Sequence, residues 1–310
     1  MQKRYIKKLK TAIDNGTLIP VIKHAVGKRV PVRLIKNSYI LDLQVQNFIA
    51  KKIRKRYNVT ANIFVKNEEE AQEGEFKRII WWCWLQGYDQ APELVKSCYE
   101  SLEKNMSNYE IRILTEKTIS QYVNLPQYII DKYKSGVMGA AHYSDILRLE
   151  VLYRYGGVWV DSTVFCTDNK MDSIFQYSSL FVYQDLTSPD IVASNWLISA
   201  RPNNRIISLT RKLLLEYWKD CNVIEHYYLF HLLFKWATEF YQDEWKTVHR
   251  FTNVAPHILV DELDNEFSSE RMEEIKRISS FHKLNYKRSY TDNESSFYSM
   301  LIKQKKFKES

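Results

Sequence analysis

The stretch Ser144-Asp145-Ile146-Leu147-Arg148, followed by Tyr155-Gly156-Gly157-Val158-Trp159-Val160-Asp161-Ser162-Thr163, decides the fold. Residues 140–155 set Ile146, Leu147, Leu149, Val151 and Leu152 toward a core, a spacing that predicts a helix. Gly156 suits the left-handed conformation that stops a helix, and Val158-Trp159-Val160 reads as a short buried strand directly behind it. Asp145 and Arg148 lie three apart and share a helical face. Asp161 falls at the carboxyl end of the strand, the edge where open α/β sheets bind ligands. Each piece alone has a plainer explanation: an exposed ion pair for Asp145 and Arg148, a turn cap for Asp161. The assembled order of helix Asp/Arg, double glycine, apolar strand and terminal Asp points instead to a site.

Outward from this stretch the pattern alternates. Residues 78–84 are apolar on both faces, as a central parallel strand requires, and 92–105 read as a helix with Pro92 at its start. Residues 110–114 form a second strand and 126–135 a helix. Downstream, strands are expected at 179–183 and 191–199, with helices at 204–219, 227–240 and 269–279. Strands alternating with helices imply an open, mostly parallel, Rossmann-like α/β sheet flanked by helices.

Residues 1–57 look helical and amphipathic, with a turn signal at Asn15-Gly16 and breaks at Pro20 and Pro31. The acidic tract from Asn67 to Glu75 reads as a linker. The chain is therefore divided into a basic helical segment, 1–75, and a main domain, 76–310. Net charge is +8, but residues 1–56 hold 15 Lys/Arg against Asp14 and Asp42, a balance of +13. A second basic cluster, Lys303, Lys305, Lys306 and Lys308, sits near residue 310. Such blocks suit nucleic acid, a solvated face or anionic lipid headgroups. The four cysteines are widely spaced, with no zinc pattern, and read as reduced thiols of a cytoplasmic protein. Neither a secretory signal nor a membrane span is expected, the longest apolar run being 79–85.

The sequence resembles the capsular polysaccharide synthesis proteins, a family related to glycosyltransferase family thirty-two with its D-x-D sugar-binding region. The resemblance covers about residues 78–290. It rests on Ile80-Trp81-Trp82-Cys83-Trp84-Leu85-Gln86-Gly87 with Ala91 to Val95, on Ala141 to Arg148, on Tyr155 to Asp161, and on His282-Lys283-Leu284-Asn285-Tyr286-Lys287. It implies a GT-A fold, a nucleotide-sugar donor, usually a UDP-hexose, and a retaining transfer. By position, Asp145 and Arg148 would hold sugar hydroxyls and ribose, and Asp161 would be the first Asp of D-x-D. Mn²⁺ or Mg²⁺ would bridge Asp161 to the diphosphate. Thr163 replaces the second Asp of the motif.

Trp84, at the end of the first strand, is expected to stack on uracil, with Gln86 contacting ribose or phosphate. The late segment would bring His282 to the metal and Lys287 to the diphosphate as counter-charge. Asn195 would touch the donor sugar, and His226 and Tyr227, opening a helix, would lie near the anomeric carbon. The expected partners are a lipid-linked oligosaccharide acceptor and an anionic membrane on whose inner face the protein sits peripherally. Two alternatives use the basic segment without chemistry: a membrane scaffold and a nucleic-acid binder. No nucleic-acid motif accompanies the charge, and the Asp145, Arg148 and Asp161 constellation favours the enzyme.

Overall fold

A computed structural model describes residues 39–67, 72–185, 191–291 and 293–303. The readings made for residues 1–38 and for Lys305, Lys306 and Lys308 lie outside these residues. In chain order the principal elements are helix α1 (Tyr39–Asn67), strand β1 (Ile79–Cys83), α2 (Glu93–Asn105), β2 (Glu110–Leu114), α3 (Gln127–Lys134) and α4 (Ala140–Tyr155). They continue through β3 (Gly157–Asp161), β4 (Val164–Cys166), β5 (Leu180–Gln184), β6 (Leu197–Ala200), α5 (Arg205–Asp220) and α6 (Leu229–Phe240). Strand β7 (Phe251–Thr252), α7 (Ser269–Ile278) and β8 (Phe281–Lys283) follow.

Six strands form one open sheet in the order β2-β1-β3-β6-β5-β7. The pairs β1–β2, β1–β3 and β5–β7 are parallel, and only β6 runs against its neighbours. The mostly parallel α/β sheet expected from the alternation of elements is present. A separate antiparallel pair, β4 with β8, stands beside it.

Strand alternation explains why both faces had to be apolar. Along β1, Ile79 and Trp81 enter one core while Ile80 and Trp82 enter the other. In β3, Trp159 belongs to the first core and Val158 and Val160 to the second. Side chains of period two thus supply two cores from one strand. Trp81 and Trp82 are fully buried, and truncating either to Ala would cost about 3–5 kcal/mol.

The two glycines are each required twice over. Gly156 has φ +66° and Gly157 φ +94°, and a Cβ on Gly157 would lie 2.5 Å from the Ile79 carbonyl oxygen. A Cβ on Gly156 would meet Pro202 and the Ala200 carbonyl. Gly156 has ψ −156°, so it leaves the helix in an extended positive-φ conformation, not the left-handed helical one expected. This swings the chain from α4 straight into β3, and the Trp81 indole N–H donates to the Gly156 carbonyl at 2.8 Å.

Helix α1 continues past residue 57 to Asn67. Ile49, Ile53, Tyr57 and Ala61 recur at helical spacing and enter the first core beside α5 and α6. Arg54 donates both Nη atoms to the Glu239 carboxylate, at 2.6 and 2.8 Å, fastening α1 to α6. Two further element boundaries differ from expectation. The strand foreseen at 191–199 begins only at Leu197, because the Ser194 and Asp161 N–H groups bond to the carbonyls of Tyr183 and Trp196 across a bend. The helix foreseen from residue 227 begins at Leu229, because the Tyr228 N–H is taken by His226 Nδ1 at 3.1 Å in a local turn.

Candidate active site

The site forms where three strand ends meet. Cys83 and Asp161 are in register at the carboxyl ends of β1 and β3. Because β6 is antiparallel, it starts where β3 stops: Asp161 N–H donates to the Trp196 carbonyl at 2.8 Å, which sets Asn195 beside it. Helix α4 passes over this edge with Asp145 and Arg148 turned inward. Asp145 is 6% and Arg148 3% exposed, so they are not a solvated surface pair. Buried charges persist only when paired and hydrogen-bonded.

They are paired through a continuous chain. Asn195 Nδ2 donates to Asp145 Oδ1 at 2.9 Å, and Arg148 Nη1 donates to the same oxygen. Arg148 Nη2 donates to Asp161 Oδ1 at 3.0 Å, where the Trp159 indole N–H also donates at 2.8 Å. Lys283 Nζ then donates to Asp161 Oδ2 at 2.9 Å and to Thr163 Oγ1 at 2.8 Å. The Arg148 guanidinium also lies against the Trp159 and Phe230 rings, 4.8 and 5.6 Å from their centroids. Burial alone would raise the Asp161 pKa, but the charges of Lys283 and Arg148 outweigh it and hold the carboxyl below its ordinary value. Burial, helped by Asp161, pushes the neighbouring Cys83 thiol up to about 12, so it is no nucleophile.

Of the residues singled out in the sequence, Asp145, Arg148, Asp161 and Asn195 come together. Trp84 borders them: unlike Trp81 and Trp82 its ring is only partly buried, its indole N–H has no partner, and it packs edge-on against Tyr286. Gln86 is exposed in the turn beyond β1. Tyr227 is largely exposed, lies in the turn before α6, and packs edge-on against His142. His142 itself sits 3.7 Å from Asp145 Oδ2. His226 lies in the same turn rather than opening the helix.

Two residues of the late segment go elsewhere. His282 is fully buried and its Nε2 lies 3.4 Å from Thr167 Oγ1. Adjacent strand residues point to opposite faces, so as Lys283 reaches Asp161, His282 turns away from it. Lys287 is exposed, with its ammonium over the Tyr286 ring. Sequence reasoning missed Lys283 and His142, although both stand inside motifs that it quoted.

A divalent cation does not fit the residues that surround Asp161. Among the described residues no group of three or more His, Cys, Asp or Glu is placed to hold a metal ion. Asp161 is the single carboxylate of its motif, both its oxygens already accept from cationic donors, and Thr163 stands where a second carboxylate would be. An incoming ion would face Arg148 and Lys283 at close range. Like charges this near disfavour it.

The sequence matches the family described as "Capsular polysaccharide synthesis protein" over residues 32–301. No curated protein matches it. Similar solved structures include one described as "PaToxG Glycosyltransferase", 17% identical, with a TM-score of 0.41, covering 75% of this chain and 95% of that one. The apo-form glycosyltransferase GlyE of Streptococcus pneumoniae TIGR4 is 10% identical, with a TM-score of 0.42 over 74% of this chain and 60% of its own. The galactosyltransferase LgtC, in complex with donor and acceptor sugar analogues, is 8% identical, with a TM-score of 0.39 over 73% of this chain and 94% of its own.

Proposed function

The chain belongs to the capsular polysaccharide synthesis protein family, which makes it a glycosyltransferase of surface-polysaccharide assembly, and from that premise we propose that it moves a hexose, glucose or galactose, from a UDP-sugar with retention. The observation that carries this reading is the chain of contacts Asn195, Asp145, Arg148, Asp161 and Lys283 at the carboxyl edge of β1 and β3. Sugar hydroxyls suit the polar side of Asp145 and Asn195. The partly exposed ring of Trp84 suits a uracil face. Tyr227, which packs against His142 beside Asp145, is the residue we assign to the acceptor.

Retention is supported by what the carboxylates are doing. Asp145 and Asp161 both accept charged hydrogen bonds, which makes them poor general bases for an acceptor hydroxyl. The acceptor proton then passes to the departing phosphate on the same face. The acceptor we propose is a lipid-linked oligosaccharide, met at the anionic inner face of the cell membrane by the basic segment 1–75. Among the described residues no helix is long and apolar enough to cross a membrane. Helix α1 nevertheless exposes Phe48, Val59 and Ile63 on one stripe with Lys51 and Lys55, a face suited to lying on anionic lipid.

The test is a screen of UDP-glucose, UDP-galactose and their N-acetyl forms for release of UDP, followed by proton NMR of the glycosylated product. An α-linked donor is expected to give an α-linked product. A β-anomeric coupling would overturn retention, and no turnover of any nucleotide sugar would overturn the transferase reading itself.

A further inference from the structure

Resting on the donor reading above, we propose that Lys283 is the site's cation: its ammonium occupies the position between Asp161 and Thr163 that a divalent ion would take, and binds the donor's diphosphate in its place. Four observations carry this. First, the ammonium bridges the first and third residues of the Asp-Ser-Thr motif, at 2.9 Å from Asp161 Oδ2 and 2.8 Å from Thr163 Oγ1. An ammonium has three N–H groups, and these two contacts leave one for a phosphate oxygen.

Second, the position is fixed by backbone. Strand β8 pairs Lys283 with Val164, and Leu284 N–H donates to the Thr163 carbonyl at 2.8 Å. Lys283 is thus locked to the motif by the sheet rather than by its flexible stem, as electrostatic preorganisation requires. Third, of the two cations on Asp161 only Lys283 is reachable: its side chain is 22% exposed, against 3% for Arg148. Fourth, Asp145, Arg148, Asp161 and Lys283 sum to zero formal charge, so the carboxylates call for no further cation.

The chemistry balances without a metal. The bond from the anomeric carbon to the diphosphate oxygen breaks, its electron pair passing to that oxygen. The acceptor oxygen forms the new bond to the anomeric carbon and its proton passes to the leaving diphosphate. Lys283 keeps its own proton and stabilises the phosphate charge by proximity.

Calorimetric titration of the full chain with UDP, inorganic pyrophosphate and uridine, in EDTA and in Mn²⁺, tests the proposal. UDP and pyrophosphate are expected to bind in EDTA within about threefold of their affinity in Mn²⁺. Lys283→Met should weaken both at least about tenfold, the loss of one charge-assisted hydrogen bond, and leave uridine unchanged. Lys283→Arg, which keeps the charge, should stay within about tenfold of the wild type. UDP and pyrophosphate binding that requires Mn²⁺ overturns the proposal while leaving the donor reading intact, and this measurement needs no variant. Unchanged UDP affinity in Lys283→Met also overturns it. Pyrophosphate binding in EDTA without binding of UDP or uridine supports the Lys283 site and removes the uracil reading instead.

Discussion

Asp161→Asn keeps the shape of the side chain and removes one charge from the middle of the site. In the wild type Oδ1 accepts from Arg148 and Trp159, and Oδ2 accepts from Lys283. The amide has one oxygen. If it faces Arg148 and Trp159, the NH₂ group confronts the Lys283 ammonium, donor against donor. If it turns over, the NH₂ group confronts the other two donors. At least one charge-assisted hydrogen bond is lost in either case, worth about 1.5–3 kcal/mol. Part of this returns, because Lys283 keeps Thr163 and Arg148 keeps Asp145. The unfolding free energy should therefore fall by about 1–2 kcal/mol against a total of about 5–15, leaving a folded protein. Turnover should fall at least about a hundredfold, as when a preorganised charge contact is removed. Urea melts followed by circular dichroism, with UDP release measured on the same preparation, check both numbers. Turnover within about threefold of the wild type in a folded variant would refute the role given to Asp161.

Burial pushes His231 and His282 down to about 4, so both are neutral in the fold at pH 7. An unfolded His titrates near 6.5; stability should be complete above that pH and fall toward pH 4 by about 2–3 kcal/mol per unit, and a urea midpoint constant from pH 7 to 5 would refute this. Gly157→Ala should cost about 3 kcal/mol or more, from positive φ and the 2.5 Å approach to Ile79, whereas Gly139→Ala, with open space around it, should stay within about 1 kcal/mol in thermal melts. Sedimentation with vesicles should show binding to anionic lipid that weakens as salt rises and is reduced in Lys51→Glu/Lys55→Glu; equal partitioning onto neutral vesicles would remove the electrostatic part.

The part of the site legible in the sequence is the part made locally. Asp145, Arg148 and Asp161 sit within seventeen residues, on a helix and strand whose periods and double glycine are visible in the letters. Asn195 reaches them through an antiparallel strand that alternation alone does not reveal, since a parallel β6 would have carried it to the opposite edge. Lys283 was hidden by distance: its partner lies 122 positions away, and nothing local distinguishes it from Lys287. Its neighbour His282 drew attention as a metal ligand. The period-two alternation of β8 decides between them, and that strand becomes apparent only once β4 is there to pair with it. The long apolar stripe of α1 was visible as amphipathic, but its use, bracing α5 and α6, depended on knowing where those helices run.

The hydrogen bond from the Trp159 indole to Asp161 makes the centre of the site audible to spectroscopy. The protein has eight tryptophans, so labelling their indole nitrogens gives at most eight signals in a proton–nitrogen NMR spectrum. Among the described residues Trp81 donates to a backbone carbonyl, Trp196 to the Asn253 amide, and Trp82, Trp84 and Trp218 to no partner. Trp159 alone of these donates to a carboxylate, which draws its proton resonance downfield of the rest. Any ligand that pulls Lys283 or Arg148 away from Asp161 alters the electron density on that oxygen and moves one resolved line, in an assay that needs neither a known acceptor nor a completed reaction.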